Sequence, residues 1–240
     1  MVKNHLKRVN APKTWKIERK ATKYIIRPNP GGQPLGGMMP LGTIFKEMLH
    51  YADTSREVQH MLRSSEVLVD GRRQLDFRYG VGLMDVLTFT KLDEHFRMLL
   101  NSEGSLYLLK VPKEESTLTL CRIIGKTVLK AGIIQLNLSG GRSIRLKENA
   151  YKVGDSLLLE VPGQAVRAHF PFEEGAAVYL TGGSHVGAFG VLSQVKGKLA
   201  YLSPLGKEGE KFVTSRNYAF VVGKGKPALS LGASQEVSAQ

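Results

Sequence analysis

The chain has 240 residues, 34 lysines and arginines against 21 aspartates and glutamates, and a formal net charge of +13. A hydrophobic fraction of 42% supports real cores and excludes a disordered polyelectrolyte. The charge excess points to anionic partners, phosphate backbones first and anionic membrane second.

No stretch approaches the roughly 20 apolar residues of a membrane span, and the basic N-terminus leads into no apolar signal core. No membrane partner and no small-molecule substrate is therefore expected. One cysteine, Cys121, excludes an intramolecular disulfide and any cysteine-based metal cage. It lies in the apolar run LTLCRIIG, where a buried, inert thiol and a cytoplasmic location are expected.

The charge is concentrated at the start. Residues 1–35 hold nine lysines and arginines against Glu18 alone. The stretch then enters RPNPGGQPLGGMMP, whose prolines and glycines continue neither a helix nor a central strand. Residues 1–39 read as an extended basic arm that becomes ordered on contact with a partner. Lys7, Arg8, Lys13, Lys16, Arg19 and Lys20 are its candidate phosphate contacts. Trp15, the only tryptophan, stands between Lys13 and Lys16. That setting suits stacking on an exposed base, and an anchor holding the arm to its own protein is the other reading.

A compact module is expected over 40–94. PLGTIFKEMLHYA spaces Leu41, Ile44, Phe45, Met48 and Leu49 as on a helix, with proline near the first turn. In TSREVQHMLRSS, Thr54 and Glu57 form a capping-box pattern. At about 100° per residue, Arg56, Gln59, His60 and Arg63 then lie opposite Val58, Met61 and Leu62. A solvated helix face is the plain alternative. VLVDGRRQLDF follows, two short strands about an Asp70-Gly71 turn that lifts Arg72 and Arg73 to an exposed tip. Two helices and a basic hairpin resemble the alpha-L RNA-binding module, whose second helix and hairpin grip RNA backbone. The matching positions are Arg56, His60, Arg63, Arg72 and Arg73. Such a module reads duplex shape and phosphate rather than sequence.

From about residue 95 the pattern becomes short apolar runs separated by turn signals, which indicate a small β domain over 95–172. Residues 173–232 contain VYLTGGSHVGAFGVLSQVKGKLAYLS. Gly182, Gly183, Gly187 and Gly190 there permit positive φ and close backbone approach to a ligand or partner. The loop has neither nucleotide-binding pattern, G-x-x-x-x-G-K-[ST] or G-x-G-x-x-G. It resembles a KOW element, a strand–glycine loop–strand unit of SH3-like barrels, with His185 among its loop residues. Residues 233–240 form a tail.

The order of these parts is more specific than any one of them. HLKRVNAPKTW, GLMDVLTF, TGGSHVGAFGV and NYAFVVGKGKPALSL, from His5 to about Leu231, resemble the ribosomal protein S4e family. The resemblance implies an α+β, mostly β, multidomain protein. It also implies a structural constituent of the small ribosomal subunit in the cytoplasm, binding 16S-type rRNA beside neighbouring subunit proteins. Ala188 departs from the family's basic loop residue. A tail carrying Glu236 and no basic residue favours an archaeal source. An RNA-binding assembly or transcription accessory factor is the alternative. No cofactor, metal or catalytic residue is expected: the histidines show no close pairing, and Asp85 in LMDVLTF reads as a turn or capping residue.

Overall fold

The computed structural model describes residues 4–64, 66–147, 149–204 and 212–232. The tail at 233–240, with Glu236, lies outside them. Among the described residues the fold is mostly β, with three five-stranded antiparallel sheets and two small two-stranded ones. Among the described residues no helix is long and apolar enough to cross a membrane.

The first sheet runs, in spatial order, Arg72–Arg73, Val67–Val69, Val86–Phe89, Glu94–Leu100 and Leu106–Lys110. The boundary expected after residue 94 falls inside this sheet, because Phe89 pairs with Glu94 across a tight turn. The second sheet runs Ser143–Leu146, Ile134–Leu138, Leu118–Val128, Ser156–Glu160 and Ala165–Phe170. The third runs Phe212–Ser215, Leu199–Pro204, Phe189–Lys196, Ala176–Leu180 and Ala219–Lys224.

The sheets fuse through the two-residue period of the strand. In Ala176–Leu180, the side chains of Ala176, Val178 and Leu180 fill the third sheet's own core. Ala177 and Tyr179 point the other way, into the central core. Ala219 and Val221 against Phe220 and Val222 repeat the division on the neighbouring strand. The second sheet does the same: Cys121, Leu157 and Leu159 turn inward, while Leu120 and Leu158 join the central core. Strands covered on both faces read as unbroken apolar runs, which is why AAVYL and SLLLE show no alternation. Tyr179 completes the joint, its hydroxyl donating to the Leu100 carbonyl at 2.6 Å and accepting from the Leu100 amide at 2.8 Å.

The arm is part of this fold, contrary to the expectation that it orders only on a partner. Leu6–Lys7 pairs with Tyr24–Ile25, and Leu6, Ala11 and Trp15 belong to the central core. Trp15 is 2% exposed. Its indole N–H donates to the Met38 carbonyl at 2.8 Å, and the Leu106 amide donates to the Thr14 carbonyl at 2.7 Å. No ring face remains for a base, so of the two readings of Trp15 the stacking one is corrected and the anchor stands.

Cys121 is buried and free, and burial pushes its thiol up to about 12, as an inert core residue requires. Removing a buried tryptophan costs about 3–5 kcal/mol through lost contacts and a cavity. Trp15→Ala is therefore expected to lower chemical-denaturation stability, followed by circular dichroism, by about that amount, with Trp15→Phe losing much less.

Candidate nucleic-acid interface

The helix at Ser55–Ser64 begins as its capping box dictates. The Glu57 amide donates to Thr54 Oγ1 at 3.2 Å, and the Thr54 amide returns a bond to Glu57 Oε2 at 3.2 Å. The Asp53 amide adds a third at 2.9 Å. These donors, those of Asp53 and Thr54, hold the Glu57 carboxyl below its ordinary range. Val58 and Leu62 are fully buried, while Arg56, His60 and Arg63 are exposed on the opposite face.

The hairpin follows the turn chemistry of its sequence. Asp70 and Gly71 both take positive φ, 50° and 71°, the conformation a two-residue hairpin needs. Arg72 pairs with Val69 and Arg73 with Leu68, and both arginines are exposed. Arg73 Nη2 donates to the Arg63 carbonyl at 3.1 Å. A cation thus sits on an orphan carbonyl at the helix C-terminus, and helix and hairpin share one basic face.

The arm's candidates divide by residue type. Lys7, Lys13, Lys16 and Lys20 are exposed. Arg8 is buried, donating to Glu47 Oε1 at 2.7 Å, the Glu18 carbonyl at 2.8 Å and Thr22 Oγ1 at 3.2 Å. Arg19 spans the Ala11 and Pro12 carbonyls at 3.0 and 2.9 Å. The guanidinium fork suits several fixed acceptors at once, whereas an ammonium stays hydrated. Arg8 is therefore corrected from a phosphate contact to an internal tie, and Arg19 is largely committed in the same way.

The glycine-rich loop packs against its own chain rather than against a ligand. Gly187, at φ 77°, leaves no room for a Cβ beside the Asn101 backbone, and Gly182 lies against the Tyr218 ring. Gly190 is buried between its neighbours on the third sheet, paired with Val178 and Pro204. His185 is exposed on the Phe212 ring, 4.9 Å between centroids. Gly182 and Gly183 line a groove of about 370 Å³ together with Thr14 of the arm. Among the described residues no group of three or more His, Cys, Asp or Glu is placed to hold a metal.

Similar proteins decide the family. Residues 92–166 match the family described as Ribosomal family S4e, and residues 2–32 match the RS4NT (NUC023) domain. Small ribosomal subunit protein eS4 of Methanocaldococcus jannaschii is 40% identical, over 95% of this chain and 98% of that protein. Its counterpart in Methanococcus aeolicus matches with the same identity and coverage. The crystal structure of 30S ribosomal protein S4e from Thermoplasma acidophilum superposes with a TM-score of 0.66 at 28% identity. That match covers 81% of this chain and 97% of the other. The chain belongs to the ribosomal S4e family.

In this S4e chain the hairpin is also held from behind, by residues the sequence did not single out as a group. Asp70 accepts from the Val86 amide at 2.8 Å and pairs with Arg142, in the turn before the Ser143–Leu146 strand of the second sheet. Asp85 accepts from the Gly82 amide at 2.7 Å, the turn role expected of it. Burial first, and then the neighbouring Asp70 charge, raises the Asp85 carboxyl well above its ordinary value. The three residues are far apart in sequence, and only the DG turn hinted that Asp70 was special.

A carboxyl whose folded pKa is raised binds its proton more tightly when folded. The stability it contributes is present below the unfolded value of 3.8 and is lost as pH rises through the folded one. Asp85→Asn mimics the protonated form and is expected to raise the melting midpoint at pH 8 by about 2–4 °C. Its advantage over the wild type, measured by calorimetry, vanishes near pH 4.

Proposed function

We propose that this S4e protein is a structural constituent of the small ribosomal subunit and binds the subunit's 16S-type rRNA. The observation that carries the reading is the bond from Arg73 to the Arg63 carbonyl. It joins the exposed Arg56, His60 and Arg63 of the helix to Arg72 and Arg73 of the hairpin. Relatives named small ribosomal subunit protein eS4, alike over nearly the whole chain, supply the setting.

In this reading the helices and hairpin of 40–94 act as an alpha-L module. Its sheet continues beyond that boundary, to Lys110. Lys7, Lys13, Lys16 and Lys20 extend the contact along the arm. The third sheet and its loop at 181–188 form the KOW-bearing SH3-like unit, with Gly182, Gly183, Gly187 and Gly190 shaping the loop and leaving His185 outward. Neighbouring subunit proteins are the other partners, and the cytoplasmic ribosome is the location. The role is structural, as in the family, and no step of chemistry is assigned to it.

Phosphate contacts of this kind release counterions, so binding weakens steeply with salt. Arg63→Glu with Arg72→Glu is expected to reduce the slope of log affinity against log salt by about two or more, with the circular dichroism spectrum unchanged. The decisive test follows the endogenous protein through a density gradient after a high-salt wash. Stoichiometric recovery in mature small subunits and polysomes supports the reading. Recovery only with immature particles marks an assembly factor instead, and migration away from RNA overturns both.

A further inference from the structure

A cleft of about 280 Å³ opens between the arm and the helical turns at 41–48; Ser55 at the start of the helix lines it, but none of Arg56, His60, Arg63, Arg72 and Arg73 does. Its wall carries Arg27, Lys46 and Arg78. None of the three forms an ion pair among the described residues. Glu47, the carboxylate on that wall, is already neutralised by Arg8 at 2.7 Å. The cleft is thus a site of uncompensated positive charge.

One further feature gives it the chemistry of a nucleotide rather than of a bare anion. Tyr24 lines it with 48% of its surface exposed. The His5 ring lies 5.5 Å away at a tilt, and Lys23 Nζ lies 5.4 Å from the Tyr24 centroid. The ring is half exposed, and a base that stacks on it takes the place of Lys23 or His5 beside a phosphate.

We propose that this cleft receives one unstacked nucleotide of the small-subunit rRNA. The phosphate lies among Arg27, Lys46 and Arg78, and the base stacks on Tyr24. The proposal rests on the rRNA reading above and adds to it a second contact, one that grips an unpaired residue where the helix–hairpin face grips duplex backbone.

The test uses the full chain bound to transcribed 16S-type rRNA. Ultraviolet cross-linking followed by mass spectrometry is expected to place an RNA adduct on the peptide containing Tyr24. Tyr24→Leu lowers affinity about tenfold with little change in salt slope. Arg27→Gln with Arg78→Gln flattens that slope by about two. Because Tyr24 is half exposed, Tyr24→Leu is expected to hold the melting midpoint, so a loss of affinity in that variant is not a loss of fold.

The proposal fails if the wild-type protein binds and cross-links through the helix and hairpin but never at Tyr24, with Tyr24→Leu binding as tightly as wild type. That outcome leaves the rRNA reading intact and returns the cleft to another partner, such as an acidic protein segment. If the full chain binds no rRNA, both readings fall.

Discussion

The burial of Trp15 sets the terms for the N-terminal third of the molecule. The indole is the largest fully buried side chain, and it enters the central core from an arm that supplies few other apolar groups. A ring of this kind buries roughly 150–250 Å², worth on the order of 4–6 kcal/mol of hydrophobic free energy at most. Its N–H on Met38 removes the cost of carrying an indole donor into the core. With Trp15 turned inward, Lys13 and Lys16 are left exposed on either side of it. One apolar anchor thereby fixes the basic segment as a row of charge, and in the proposed rRNA reading less chain entropy remains to be lost on binding.

The same economy recurs in the cations. Arg8 and Arg19 spend their forks on internal acceptors and hold the arm's loops together, whereas the exposed lysines keep their charge in water. Arg73 combines the two roles, fixing the hairpin to the Arg63 carbonyl while remaining at the surface. Behind the hairpin, Asp70 ties the turn to Arg142, just before the Ser143–Leu146 strand of the second sheet, and Tyr179 ties the third sheet to Leu100 of the first. The arm and the hairpin therefore both stand on the shared core.

Local chemistry was legible in the sequence, and long-range placement was not. Thr54 and Glu57 announce the helix start because a capping box closes within four residues, and Asp70-Gly71 announces its hairpin because the turn needs only its own φ values. The strands from Glu94 to Phe170 followed from apolar runs and turn residues. The destination of Trp15 depended on Met38 and Leu106, and nothing in TWK identifies either. The boundary at 94 failed because a strand pair across a tight turn carries no composition change. The glycines at 182 and 187 signalled close approach correctly, but the approaching groups are Tyr218 and Asn101 of the same chain. Tyr24, Arg27, Lys46 and Arg78 come from three segments that only the fold brings to one cleft.

Because Trp15 is the only tryptophan, its fluorescence reports the arm without any label. The free full-length protein is expected to emit at the short wavelengths of a buried indole and to resist iodide quenching. Its spectrum should shift only in the global unfolding transition, with no change when rRNA is added. Long-wavelength, readily quenched emission that turns blue on adding rRNA would contradict the account. The arm would then be ordered by its partner, and not by the core it occupies here.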